Sequence, residues 1–384
     1  MESGVEEPLS ALTVCVDLYW QNSQYVFELL LRVPGNQKEF NLLTETIPEE
    51  GAQRENALTR IRTEIMAGKG PDVFICNSSP LQSGKDGLFL FPRQAMENRI
   101  FLPLDDYIAQ AEQMEWDRLQ PQVMEAGRNE EGQLLVPLTY EIGIKAVEKS
   151  GYTPSFDRPS TWEEMAESSD PTARELARNV LMYDPLGDLA DYENDTLAYT
   201  EEELVAYFLR YGEIWGAQPK GAAEILHLYV GEGSLRASGS DPIDLRDTDY
   251  WMLSGYNRQG GVTATVASFA GINRNTLYPE EAFRVIDTLL EKRNQSNSAV
   301  YKYLQGLPVH MDLGTMEAML HGQYMNEWNL QQFTQLREEI NVVKFGTALE
   351  LVLCDAWRRD AEEEELRENV HESCTKMNMM LAES

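Results

Sequence analysis

The sequence predicts an α/β protein built on a doubly wound, mostly parallel sheet flanked by helices, and three observations carry that expectation. The segments "ALTVCVDLYWQN", "FNLLTETIP" and the run ending at Cys76 alternate with helical stretches, giving strand, helix, strand, helix, strand. Val73 to Cys76 is an unbroken apolar run of strand-forming types, as expected for a strand covered on both faces. Beyond Tyr152 the texture turns helical.

Each element has a local reason. The first strand ends in Tyr19, Trp20 and Asn22, and a helix from about Ser23 to Arg32 carries Val26, Phe27, Leu30 and Leu31. Leu58, Ile61 and Ile65 share one face of the next helix, which Gly68, Gly70 and Pro71 end. The strand that follows stops on Asn77, Ser78 and Ser79. In open parallel sheets, ligands bind beyond the carboxyl ends of the strands, so these polar residues would stand on such a rim; turn formation alone also explains them. "RIFLPLDDYIAQ" adds a short strand and a helix start, and "EEGQLLVPLTYEIGIKAV" two strand-like runs around Pro137. Ser160 with Glu163, and Thr200 with Glu203, have capping-box spacing. "YFLRYGEIWG" and "AAEILHLYV" continue a helical middle, followed by a loop-rich passage and the strand-like "GGVTATVASFAGI". Pro279, Glu280 and Glu281 open another helix, and from about residue 320 the chain reads as wholly helical.

With 384 residues and 42% hydrophobic content the chain is globular, and roughly 100–200 residues per domain allows two or three domains. Lys and Arg number 32 against 64 acids, a net charge of -32, so nucleic acid and anionic membrane surfaces are excluded as partners. Cys15, Cys76, Cys354 and Cys374 are too few for a disulfide scaffold; a bridge between the last two is left open. No stretch approaches the roughly 20 apolar residues of a membrane span, and the start lacks a signal-peptide pattern. The opening "MESGVEEPLSA" reads as a tether, or an edge from which a signal segment has been removed.

Catalytic signatures are missing from the sequence. His227, His310, His321 and His371 are scattered, and neither a GxSxG elbow nor a phosphate loop occurs. Asp241, Asp244, Asp247 and Asp249 lack the spacing of a calcium loop, so turn and capping duty is expected. The expectation is no catalytic residue, no metal and no cofactor.

Six stretches in series carry a resemblance: "IRTEIMAGKGPDVF", "GQLLVPLTYEIGIKAV", "PSTWEEM", "SLRASGSD", "LYPEEAFRVIDTLL" and "QGLPVHM". Over about residues 12 to 382 the chain resembles extracellular solute-binding proteins of ABC importers, family 1, the sugar-binding type. The resemblance implies a type 2 periplasmic-binding-protein fold: two α/β lobes, a cleft between them, and a helical C-terminal region. It places lobe one at 1–139 with 270–318 and lobe two at 140–269 with 319–384. Crossings would fall near Pro137 to Ile142, near Val266 to Gly271, and after Leu307 to Met311. "GEGSLRAS" and the short "LMYDPLGDLADYEND" depart from the family pattern where specificity is usually set.

A sugar offers apolar C–H faces and a ring of hydroxyls, so its cleft needs aromatic platforms and polar partners. The candidates are Tyr19, Trp20 and Asn22, then Asn77 and Ser78, Tyr140 and Glu141 at the first crossing, Phe269 at the second, and Trp251 and Tyr256 in lobe two. Tyr183 and Asp184 are weaker ones. For each aromatic the competing explanation is simple packing, and Trp116, Trp162, Trp215, Trp328 and Trp357 are assigned to packing. The function implied is capture of a carbohydrate, an oligosaccharide foremost, for delivery to the permease subunits of an ABC transporter. The protein would be a monomer outside the cell, tethered as a lipoprotein. The alternatives are a non-sugar solute, a ligand sensor, and a carboxylate-based glycoside hydrolase.

Overall fold

β1 (Ala11–Asp17) lies between β2 (Asn41–Thr46) and β3 (Val73–Asn77) and runs parallel to both. The computed structural model describes residues 11–18, 41–78, 87–216, 219–231, 234–237, 244–296, 304, 306–312, 325–359 and 361–383. The helix Gly51–Met66 joins β2 to β3 and buries Leu58 and Ile61, the face their spacing predicts. The remaining strands are β4 (Arg128–Asn129), β5 (Gly132–Gln133), β6 (Leu135–Ile142), β7 (Ile144–Glu148), β8 (Ala190–Asp191), β9 (Thr196–Leu197), β10 (Ile225–Gly231), β11 (Ser234–Ala237), β12 (Tyr250–Leu253), β13 (Val262–Ile272), β14 (Leu307–Pro308) and β15 (Ile340–Phe345).

Two large sheets result. The first has seven strands in the order β14-β6-β13-β3-β1-β2, with β15 added along β13. The second has four, β11-β10-β7-β12. The α/β architecture with two sheets and surrounding helices is as expected, but strand direction is not mostly parallel. β13 runs antiparallel to β3 and β6, and all three pairings in the second sheet are antiparallel. The connections explain this: β10 reaches β11 within a few residues, and only antiparallel neighbours can be joined that tightly.

Chain passages between the sheets position the site. β6 of the first sheet becomes β7 of the second across Gly143 alone. The chain returns between Leu253 and Val262, upstream of the expected Val266 to Gly271, because β13 stays whole in the first sheet. After Met311 it leads on to the helix Glu327–Glu338, which packs against β12.

Other local expectations shift. Pro137 lies inside β6 opposite Phe269, beside a register irregularity that accommodates a residue unable to donate. The box at the helix Trp162–Glu167 is made by Thr161 and Glu164, one residue on from the expected pair, whereas Thr200 and Glu203 cap as expected. "ILHLYV" is strand β10, and the C-terminal region contains strand β15 with its β-branched Ile340, Val342 and Val343.

Under the first sheet, Phe74, Phe89, Phe101, Phe269 and Phe345 interlock; Phe74 meets Phe89 edge-on at 5.3 Å and Phe269 meets Phe345 at 5.4 Å. In the second half, Trp162 is buried against Tyr207 and donates to the Ala177 carbonyl at 3.1 Å. All four cysteines are free, and burial pushes the Cys354 and Cys374 thiols up to about 11. Among the described residues, no helix is long and apolar enough to cross a membrane.

Asp287, on the helix Pro279–Leu289, accepts hydrogen bonds from the backbone amides of Glu112, Gln113 and Met114. Removing the carboxylate strands these donors, so Asp287→Ala is expected to cost about 2 kcal/mol, read as a lowered urea midpoint.

Candidate functional site

Directly paired residues of neighbouring strands point to the same face of a sheet. Thr265 of β13 pairs with Glu141 of β6 and with Lys344 of β15, so the three side chains form a polar row across the first sheet. Glu141 is two residues before Gly143, and Lys145 is two residues beyond it on β7. The Tyr183–Leu186 turn covers this face: Thr263 Oγ1 donates to the Asp184 carbonyl at 2.9 Å.

The row is held away from bulk water without being closed along its whole length. Glu141 remains exposed, yet burial among protein groups, and then the Asp184 charge, raise its carboxyl above the usual range. Glu141 is thus reached by water and crowded by protein at once. Burial pushes the Asp184 carboxyl up to about 6 against the pull of Lys344 and Lys145. Lys145 is brought down to about 8, chiefly by burial and opposed by Asp184; its Nζ lies 2.9 Å from His227 Nδ1. Burial and the Lys145 charge depress His227 in turn.

The row is sealed at its Lys344 end, where the side chain is fully buried, and open at Glu141. Lys344 Nζ lies 3.5 Å from Glu350 Oε1 and 4.6 Å from the Tyr183 ring centroid, and makes no hydrogen bond. Glu350 is fixed by its capping box with Thr347 at the start of the helix Ala348–Ala356. Acids and ammonium groups thus alternate, as suits a polar solute. Among the described residues, no cluster of His, Cys, Asp and Glu is placed to hold a metal. The described histidines meet other partners: Lys145 for His227, Glu115 for His310 and Glu201 for His371.

The predicted site residues divide sharply. Tyr19, Trp20 and Asn22 lie outside the described residues. Asn77 and Ser78 are buried at the end of β3, where Asn77 Nδ2 and Ser78 N both donate to the Ala267 carbonyl at 3.0 Å. Glu141 is exposed near the end of β6, with the Asp184 charge acting on it, and Tyr183 is buried beside Lys344.

Four candidate aromatics pack against protein groups, three of them fully buried. Tyr140 is inaccessible to solvent and accepts from Arg337 Nε at 2.6 Å, because strand alternation turns it away from Glu141. Phe269 lies in the phenylalanine cluster. Tyr256 is buried with its hydroxyl between Arg158 and Glu339. Trp251 meets Trp328 edge-on at 5.3 Å, and its Nε1 donates to the Tyr152 carbonyl. Lys145 and Lys344 were not among the sequence candidates; the alternation of β7 and β15 was the signal that could have placed them beside Glu141 and Thr265.

No protein-family model matches this chain, and no curated protein matches it in sequence. Solved structures match it almost end to end. An extracellular solute-binding protein of family 1 from Alicyclobacillus acidocaldarius aligns with 98% of this chain and 99% of its own, at 13% identity and TM-score 0.58. An ABC substrate-binding protein from Listeria monocytogenes, in complex with cycloalternan, aligns with 97% and 99% at 11% identity and TM-score 0.56. A periplasmic oligogalacturonide-binding protein from Yersinia enterocolitica gives 97% and 99%, 13% and 0.57. Two structures described as designed esterases also match, at TM-score 0.55. The chain therefore has the fold of extracellular solute-binding proteins, with two α/β lobes; at such identities the likeness extends to the fold alone.

Proposed function

We propose that the protein captures a carbohydrate, an oligosaccharide foremost, between its lobes and delivers it to an ABC importer without catalysing a reaction. The observation that carries this reading is Glu141: a crowded carboxylate, open to water, at the shortest passage between the sheets. Carboxylates in such a place accept from hydroxyls, and Lys145 supplies a donor beside them. That structures of the same fold are described as binding cycloalternan and oligogalacturonide supports a saccharide over other solutes. The lobes would follow the sequence division, 1–139 with 270–318 and 140–269 with 319–384, moved to Gly143 and to the stretch 254–261, and with β15 returned to the lobe of the first sheet. The same reading makes the protein an extracellular monomer, lipid-tethered, with permease subunits as its partner.

Calorimetry against cyclic and linear glucans and oligogalacturonides tests it. Binding without turnover is expected, and Glu141→Gln should weaken it about tenfold, the loss of one charge-assisted hydrogen bond. Silence across the panel would reject a saccharide; hydrolysis would reject a pure receptor.

A further inference from the structure

The last two helices, Ala348–Ala356 and Glu363–Glu383, pack against each other and leave a cavity of about 510 Å³ between them. Asp355, Trp357 and Arg358 line one side, and Asn369, Glu372 and Lys376 the other. Together with Ser373, these last three recur at helical spacing, so the long helix turns a polar stripe to the groove. Its neighbouring stripe, Leu366, Val370, Met377 and Leu381, is buried in the core. Trp357 is a fixed wall, edge-on to Tyr211 at 5.4 Å and to Trp215 at 6.2 Å. The four charged groups are exposed at the rim. Asn369 Nδ2, in contrast, is shut off from water and has no hydrogen-bond partner, a penalty that a bound acceptor would remove.

We propose that this groove binds a free α-amino acid: its carboxylate on Lys376, Arg358 and the Asn369 amide, its ammonium on Asp355 and Glu372. Turning the amide about its Cβ–Cγ bond brings the donor to the groove without moving the backbone. The ammonium end is reinforced by the helix Ala348–Ala356, whose last turn carries Asp355 and no basic residue, so its negative pole is uncompensated. A simple anion would face two carboxylates and that pole, and a simple cation would face Arg358 and Lys376. A solute with both charges satisfies each end. No residue of the Glu141 row lines the groove, so this site is separate from the one proposed for the saccharide.

Calorimetry on the whole protein with L-glutamine, L-leucine and L-phenylalanine, each beside its N-acetyl and its amide form, tests the proposal. At least one free amino acid should bind, and both derivatives of it about tenfold more weakly, because each lacks one charge. Lys376→Gln should weaken the free acid and spare the amide form; Glu372→Gln should weaken the free acid and spare the N-acetyl form. Asn369→Ala should lower affinity about tenfold while the thermal midpoint stays or rises, since an orphaned donor is removed. A lowered midpoint with affinity unchanged would make Asn369 a packing residue and overturn its role. Silence from all three amino acids up to about 10 mM, equal binding of all forms, or binding of inorganic phosphate in their place would overturn the site as proposed.

Discussion

Replacing Lys344 by methionine is expected to lower the free energy of unfolding by about 3–5 kcal/mol, the usual cost of removing one partner from a buried ion pair. Lys344 is inaccessible to solvent, and Glu350 is almost as deeply buried. The ammonium gains only a 3.5 Å contact with that carboxylate and a position over the Tyr183 ring, so its charge contributes mainly by compensating Glu350 and Asp184. Methionine matches its length but leaves the buried Glu350 carboxylate without its cation and Asp184 without one of the two charges that hold it down. Changing Glu350 to glutamine as well should recover most of the loss. Glutamine can still accept from the Thr347 amide, as the capping box requires, and the unpaired charge is gone. Guanidinium denaturation of the two variants checks both steps; a Lys344→Met protein as stable as the parent would show that the ammonium is not compensating these carboxylates.

How far the sequence foretold this arrangement follows from the range of the forces involved. β1, β3, the helix Gly51–Met66 and the Thr200 cap are set by neighbours in the chain, and their spacing and residue types announced them. β10 and β15 were read as helix because a short apolar run satisfies either period; only pairing with β7 and β13 settles it. Glu141 was a candidate because it sits where the chain was expected to cross between lobes, and the structure has β6 leave the first sheet two residues later. Tyr140, one position earlier, was misassigned because aromatic character says nothing about which face a strand presents. Lys344 joins the row through Thr265, and that pairing spans nearly 80 residues of chain. No local pattern encodes it.

The unliganded site is also expected to make stability depend on pH in an uncommon direction. Asp184 titrates near 6 in the folded protein, above its ordinary 3.8. At pH 7 the carboxylate is ionised in both states, and the folded one carries the cost of crowding it. As pH falls through 6 the native state takes up its proton first, so stability rises until the unfolded chain is protonated too, near pH 4. A difference of about 2 pKa units bounds the gain at roughly 3 kcal/mol. Lys145 acts at the other end: titrating near 8 instead of 10.5, it loses its proton in the native state first, and stability rises between those values. Together they place the least favourable electrostatics of the empty site between pH 6 and 8, where a polar solute that hydrogen-bonds both groups would relieve them most. Comparing the parent with Asp184→Asn isolates the first contribution: the parent's stability relative to the variant should grow steadily as pH is lowered from 7 to 4. A constant difference over that range would mean that Asp184 is freely solvated, and the crowding inferred around Glu141 would lose its strongest electrostatic support.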